Sequence, residues 1–181
     1  MRWLFLLLLS CVELVTHEEA ILQANDTVPM EVFALGDPER KAKWKKPPNV
    51  RVCATSEVSL SRVYRAIEYW RRLGYEFGIV RKDNFSMCMT PKLGEIIITL
   101  PESVFTNSHM ASTRLYTDAK TGAIVKAKIF VLPKYARKDR VLEHEFGHAL
   151  GWSHYRQRYH IMHPKWYYGG FDSYGVRQKS N

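Results

Sequence analysis

The sequence predicts an α+β domain with one mixed, mostly parallel sheet and two main helices. Three observations predict it. Short β-branched runs such as Gly94-Glu95-Ile96-Ile97-Ile98-Thr99-Leu100 have the length and composition of buried strands. Two segments, one ending near Leu73 and one near Leu150, instead repeat apolar residues at helical spacing. The elements run strand, helix, strand, strand, hairpin, helix, tail, which is neither a regular alternation nor a strict segregation of the two types.

Taken from the N-terminus, residues 1–20 read as an export signal. Arg2 precedes an apolar stretch from Trp3 to Leu9, long enough for a signal-peptide core and too short to span a bilayer. Two exits from it stay open. Leu8-Leu9-Ser10-Cys11 has the outline of a lipobox, which would lipidate Cys11 and give a lipid anchor; ordinary cleavage further on is the other, without a clear A-x-A site. The chain is expected outside the cytoplasm, secreted or attached to the cell envelope. With Cys11 in the targeting segment, Cys53 and Cys88 remain, and an oxidising compartment would join them as a disulfide; two free thiols are the alternative.

Residues 21–48 read as a leader or pro-segment, acidic and then basic. From Val12 to Glu39 there are seven acidic residues and no Lys or Arg, and Arg40–Lys46 then holds five basic ones. From Pro47 onward 21 Lys and Arg face 11 Asp and Glu. The basic residues are scattered, not clustered, so no specific nucleic-acid site is expected. An acidic leader ahead of a basic body is either a solvated arm or a segment held electrostatically against the body.

Pro47-Pro48 stiffen the chain and open a single domain over residues 49–181, expected to act as a monomer. Val50–Ala54 alternates as a strand. Ser59 is placed to cap a helix through Leu73, with Val63, Ala66, Ile67 and Trp70 on one face and Gly74 as its stop. Tyr75–Val80 is expected as the second strand and 94–100 as the third. Ser112–Tyr116, the turn Asp118–Gly122 and Ala123–Leu132 form a hairpin, after which Asp139 is expected to cap a helix over 140–150.

Chemistry concentrates in that last helix and the residues just after it, EHEFGHALGWSHYRQRYHIMHP, where five of the seven histidines fall. His144 and His148 lie four apart, on one helix face, so both can reach one ion. Glu145 points beside that ion. Gly151 can turn the chain, and His154 can then return as a third ligand. Three imidazoles leave a fourth position open, as a catalytic zinc needs.

The full pattern His144-Glu145-x-x-His148-x-x-Gly151-x-x-His154 resembles the zinc signature of the metzincin metalloproteases. Met162, eight residues after His154 and followed by His163-Pro164, resembles the family's methionine turn in its matrixin-like form. Tyr155 departs from the serine usual there in matrixins, and the tail after the turn is too short for the usual C-terminal helix, leaving only a short C-terminal subdomain. The resemblance implies a zincin fold and one catalytic Zn2+ on His144, His148 and His154. It implies hydrolysis of protein or peptide substrates by a zinc-held water, with Glu145 carrying the proton. It further implies a substrate backbone extended along the edge strand near Ala111–Arg114, and a pocket among Pro164, Trp166 and Tyr167. Residues 101–111 lack the aspartates of the family's metal-binding loop, so neither structural zinc nor calcium is expected. Asp37, in Phe33-Ala34-Leu35-Gly36-Asp37, is near a pattern by which another branch blocks its zinc, with an ordinary loop turn as the alternative. His160 either closes the site as a fourth ligand or, with His163, supports the turn or faces solvent. Other functions compatible with the sequence are a zinc-stabilised attachment component and a hydrolase of cell-wall peptides.

Overall fold

The computed structural model of the chain describes residues 19–23, 36–84, 88, 90–101 and 109–178. Residues 1–18, Cys11 among them, residues 24–35 of the leader and most of the 101–111 loop lie outside these residues. No helix among the described residues is long and apolar enough to cross a membrane.

Six strands form one mixed sheet: β1 (Glu19–Gln23), β2 (Asn49–Cys53), β3 (Val80–Asp83), β4 (Glu95–Thr99), β5 (His109–Thr117) and β6 (Ile124–Val131). Their order is β1-β5-β6-β4-β2-β3. The pairs among β3, β2, β4 and β6 are parallel, and β5 runs antiparallel to β6 and to β1. Every residue of β4 is buried, because both faces are covered. Ile96 and Ile98 face the main core with Val50, Val52 and Ile129, under helices α1 (Leu60–Arg71) and α2 (Val141–Ala149). Ile97, on the opposite face, packs with Cys53 and Cys88. Those two cysteines form a disulfide with Cα atoms 5.6 Å apart, pinning the segment after β3 over the far side of the sheet.

Ser59 caps α1, its hydroxyl accepting from the Arg62 N–H at 3.2 Å. Gly74 ends the helix region at φ +93°, and Asp118 closes the β5–β6 turn by accepting from Thr121 N–H at 2.8 Å.

Two local expectations fail. Residues 75–79 are no strand, and pairing with β2 begins only at Val80. Tyr75 and Phe77 are both drawn into the core: the Tyr75 hydroxyl donates to Val176 O at 2.8 Å, and Phe77 packs edge-on against Phe146. Asp139 does not cap α2. Arg140 holds the N-cap position in a left-handed conformation (φ 69°), without a side-chain cap.

The packed unit also begins before residue 49. Residues 39–44 strap across the C-terminal end of α2, where helix carbonyls lack intrahelical donors. Trp44 Nε1 donates to Ala149 O, Arg40 Nε to Leu150 O and Lys41 N to Gly151 O, all within 2.9 Å.

Candidate metal centre

Helix α2 is buried along its whole length, including Glu143, His144, Glu145 and His148. It carries two of the three histidines the sequence singles out, and Gly151, at φ +98°, turns the chain so that half-buried His154 returns to them. Glycine is needed there twice over: a Cβ would also collide with Ala42 O in the strap. The ligand-capable atoms of His144, His148 and His154 all lie within 4.8 Å of one another, the one such His/Cys/Asp/Glu group among the described residues.

The tautomers follow from the second nitrogen of each ring. His144 Nδ1 lies 2.7 Å from Ile161 O, and His148 Nδ1 lies 2.7 Å from Trp152 O. A carbonyl only accepts, so both Nδ1 atoms carry the proton, and both Nε2 atoms present lone pairs. Those two Nε2 atoms are 2.9 Å apart. Burial first, then the neighbouring imidazoles, depresses both pKa values, His148 to about 3, so neither ring is protonated at neutral pH. Two buried lone pairs at that distance repel, and a cation between them turns the repulsion into ligation. This donor set fits zinc, which takes neutral imidazole and needs its distal N–H anchored in just this way.

Glu145 has no solvent-exposed surface. Its Oε2 accepts from the Thr113 hydroxyl of β5 at 2.6 Å, and its Oε1 has no hydrogen-bond partner. Burial pushes this carboxyl up to about 8, with the Thr113 hydrogen bond pulling the other way. Sequence reasoning misses Thr113; its place on the expected edge strand is the one signal pointing to it.

Met162 is fully buried against α2. A Cβ at Gly147 would overlap Met162 Sδ and lie 2.8 Å from Trp70 Cζ2, so the glycine inside HEFGH lets the methionine turn close on the helix. The turn also orients a ligand, since Ile161 supplies the carbonyl that anchors His144. His160 supports that turn and does not join the cluster. Its Nδ1 accepts from Met162 N–H at 3.1 Å, which leaves Nε2 to donate to Tyr174 O at 3.0 Å. Both nitrogens are thus committed.

Of the expected pocket residues, Trp166 lines a small recess with His144, Arg140, Ile161, His163, Gly169 and Gly170. Pro164 is half-buried outside that lining, and Tyr167 is 70% exposed. Arg140, whose left-handed backbone frees its guanidinium to donate to Gly169 O and to stack over Trp166 at 4.3 Å, is a wall the sequence does not signal. Asp37 accepts from the Tyr174 hydroxyl at 3.0 Å, is exposed and does not join the three-histidine group.

Beneath the site a buried ion pair fixes α2 to α1. Arg62 Nη1 donates to Glu143 Oε1 at 2.8 Å and Nη2 to Oε2, and Trp70 Nε1 donates to Glu143 O at 2.8 Å. Comparison with models of known families and with curated proteins gives no match to this chain.

Proposed function

We propose that this chain is a zinc metalloendopeptidase of metzincin, matrixin-like type, hydrolysing peptide bonds in exported surroundings. The observation that carries the reading is a buried, half-unpaired Glu145 carboxyl beside three converging imidazoles. A structural metal site gains nothing from such a group, whose burial without a full set of partners costs about 1–3 kcal/mol. A site that moves a proton needs it.

His144, His148 and His154 would hold the ion, leaving one position open. When bound, zinc supplies Lewis-acid polarisation of a scissile carbonyl and brings the pKa of a nearby water to about 7. The chain does the rest. Ile161 O and Trp152 O lock His144 and His148 in the tautomer that ligates. Thr113 holds Glu145 Oε2, so the partnerless Oε1 is the atom that takes a proton from the attacking water and returns it to the leaving amine. A cation alongside favours the ionised carboxylate and so readies the base. Trp166 and Arg140, which wall the small recess beside His144, would flank the bound substrate. Export, with or without a lipid anchor on Cys11, completes the proposal.

The test is zinc content by elemental analysis, with long incubation against a peptide library and cell-wall peptides, with and without a chelator. One zinc per chain and cleavage that the chelator stops and zinc restores are expected. Zinc without cleavage of either substrate would make the site structural, and absence of zinc binding would end the reading.

A further inference from the structure

The stretch from Pro133 to Gly170 carries the three-histidine centre, and it holds seven Lys and Arg against three acidic residues. All seven cations are exposed or half-buried. Of the three acids, Glu143 and Glu145 are buried in α2, and Asp139 faces Arg65 across 3.6 Å. Asp172, the next acid along the chain, accepts from the Gln157 side chain and from Tyr174 N–H. The charge this stretch turns to solvent is therefore almost wholly positive.

The fold joins these cations through aromatic rings. Lys134 and Lys138 lie over the Tyr135 ring at 5.0 and 5.4 Å. Lys138 also lies 3.7 Å from the centre of the Trp166 ring, and Arg140 lies over the same ring at 4.3 Å. Trp166 is fixed in turn by its Nε1, which donates to Asp139 O at 3.0 Å, and it lines the recess that includes His144. A second branch starts from His163, another wall of that recess. Its ring meets Tyr168 at 5.7 Å, and Arg158 lies over Tyr168 at 5.8 Å and over Tyr159 at 5.3 Å. A ring is neutral, so a cation stacked on it keeps its charge while losing freedom. A carboxylate arriving there meets charges already in place, and less entropy is lost on pairing.

We infer that this shelf of cations and rings is a specificity surface for acidic polypeptide, so that the centre acts preferentially on peptide bonds flanked by Asp and Glu. This substrate class rests on the peptidase reading of the same centre. Acidic polypeptide is the polyanion that fits, because the shelf is continuous with the recess beside His144 and its rings offer apolar surface to the side chains of a peptide. Charge that is scattered along the sequence thus becomes concentrated in space. One exposed pairing changes binding by up to about fivefold, so two or three give a preference of about tenfold or more at low ionic strength. Most of it should vanish in about 0.5 M salt, where charges are screened beyond about 4 Å.

The experiment uses the full chain loaded with zinc. A sequence cleaved from the peptide library is given short flanks of Asp and Glu, of Ser and Gly, or of Lys and Arg, and assayed in about 20 mM and about 0.5 M NaCl. At low salt kcat/KM should be about tenfold or more higher for the acidic flanks than for the basic ones, and at high salt the two should agree within about twofold. The double variant Lys134→Glu, Lys138→Glu should reverse that order with unchanged zinc content. Lys134→Glu with Arg158→Glu alters exposed side chains alone, should narrow the difference several-fold, and carries the test if the first variant misfolds. In the zinc-loaded Glu145→Gln background, fluorescence anisotropy of a labelled acid-flanked peptide should show binding weakened by the same two changes. The inference is overturned if all three kinds of flank are cut alike at low salt. It is equally overturned if the charge reversals release a sulfated polysaccharide or a DNA duplex from the chain and leave the order of the peptides as it was. If every variant keeps zinc and none hydrolyses any peptide, the peptidase reading itself has failed and the inference falls with it.

Discussion

The two helices bury themselves by different rules. Helix α1 hides one stripe, Arg62, Val63, Ala66, Ile67 and Trp70, and leaves Tyr64, Arg65, Glu68 and Arg71 in solvent. Helix α2 hides all nine residues, four of them ionisable. In α1 apolar periodicity explains position and orientation almost entirely. In α2 it explains little, because every polar side chain is tied to a different neighbour: Glu143 to Arg62, His144 to Ile161, Glu145 to Thr113 and His148 to Trp152. The difference teaches that α1 is a clamp and α2 the clamped part. Buried polarity of this kind is costly unless partnered, and the one carboxylate oxygen of α2 left unpartnered, Glu145 Oε1, is where the proposed chemistry would act.

The largest effect should come from removing that atom's charge. Glu145→Gln keeps a group able to accept from Thr113, so zinc content should not change, while hydrolysis should fall about a hundred- to ten-thousand-fold. Stability separates this from misfolding. A carboxyl raised from 4.5 to about 8 destabilises the zinc-free fold progressively as pH rises through that window, because the unfolded chain ionises first. The variant should therefore be more stable than the parent in chelator at pH 8, by about 4 kcal/mol, and the gain should vanish near pH 4.5. Equal denaturation midpoints at pH 8 would show that Glu145 is not held in the buried, protonated state described.

Next in size is the clamp. Arg62→Met leaves Glu143 buried without its partner and should cost about 3–5 kcal/mol in denaturant unfolding. Adding Glu143→Leu removes the stranded charge and should recover most of that loss. If the double variant is as unstable as the single, the pair is needed for the geometry of α2 beyond its own neutralisation, and zinc affinity should show the same deficit.

The histidines give a graded effect, small within one pH unit of 6.5. Their lowered pKa values mean that below about pH 6.5 the unfolded chain takes protons that the folded one refuses, so stability is complete above that pH and is lost as pH falls toward 3. The slope reaches at most about 1.4 kcal/mol per pH unit for each ring. Glu145 acts in the opposite sense from 4.5 to 8. Taken together, these three groups place the stability maximum of the zinc-free protein near pH 6.5, and in Glu145→Gln only the acid limb should remain. Chemical denaturation in chelator across pH 4.5–8 checks both limbs.

Legibility in the sequence divides along the same line. The α+β class, the mixed sheet, the Ser59 cap and the Gly74 stop are local or periodic signals, and each corresponds to an observed feature. The three-histidine cluster is legible because helix geometry and one glycine bring its members together with no help from distant residues. Thr113, Arg140 and the Arg62–Glu143 pair are not, since each joins positions 26 or more residues apart and no spacing rule connects them. Gly147 stands in plain view inside the motif, but its role depends on Met162 and Trp70 arriving from elsewhere. The strand expected over 75–79 fails for a related reason: Tyr75 and Phe77 have strand propensity, and tertiary burial overrides it.

The smallest effect belongs to the outward face of α1, and it is the control for all the others. Arg65 lies 3.6 Å from Asp139, just ahead of α2, so on distance alone it is a second link between the helices. Both side chains are well exposed, 63% and 71%, where solvent screens the attraction and ordering two flexible side chains offsets what is left. Arg65→Ala should therefore change unfolding free energy by no more than about 0.5 kcal/mol and leave zinc content unaltered. A loss approaching that of Arg62→Met would mean that the exposed pair also carries the clamp. The contrast between a helix that holds by its buried face and one that is held all round would then have to be redrawn.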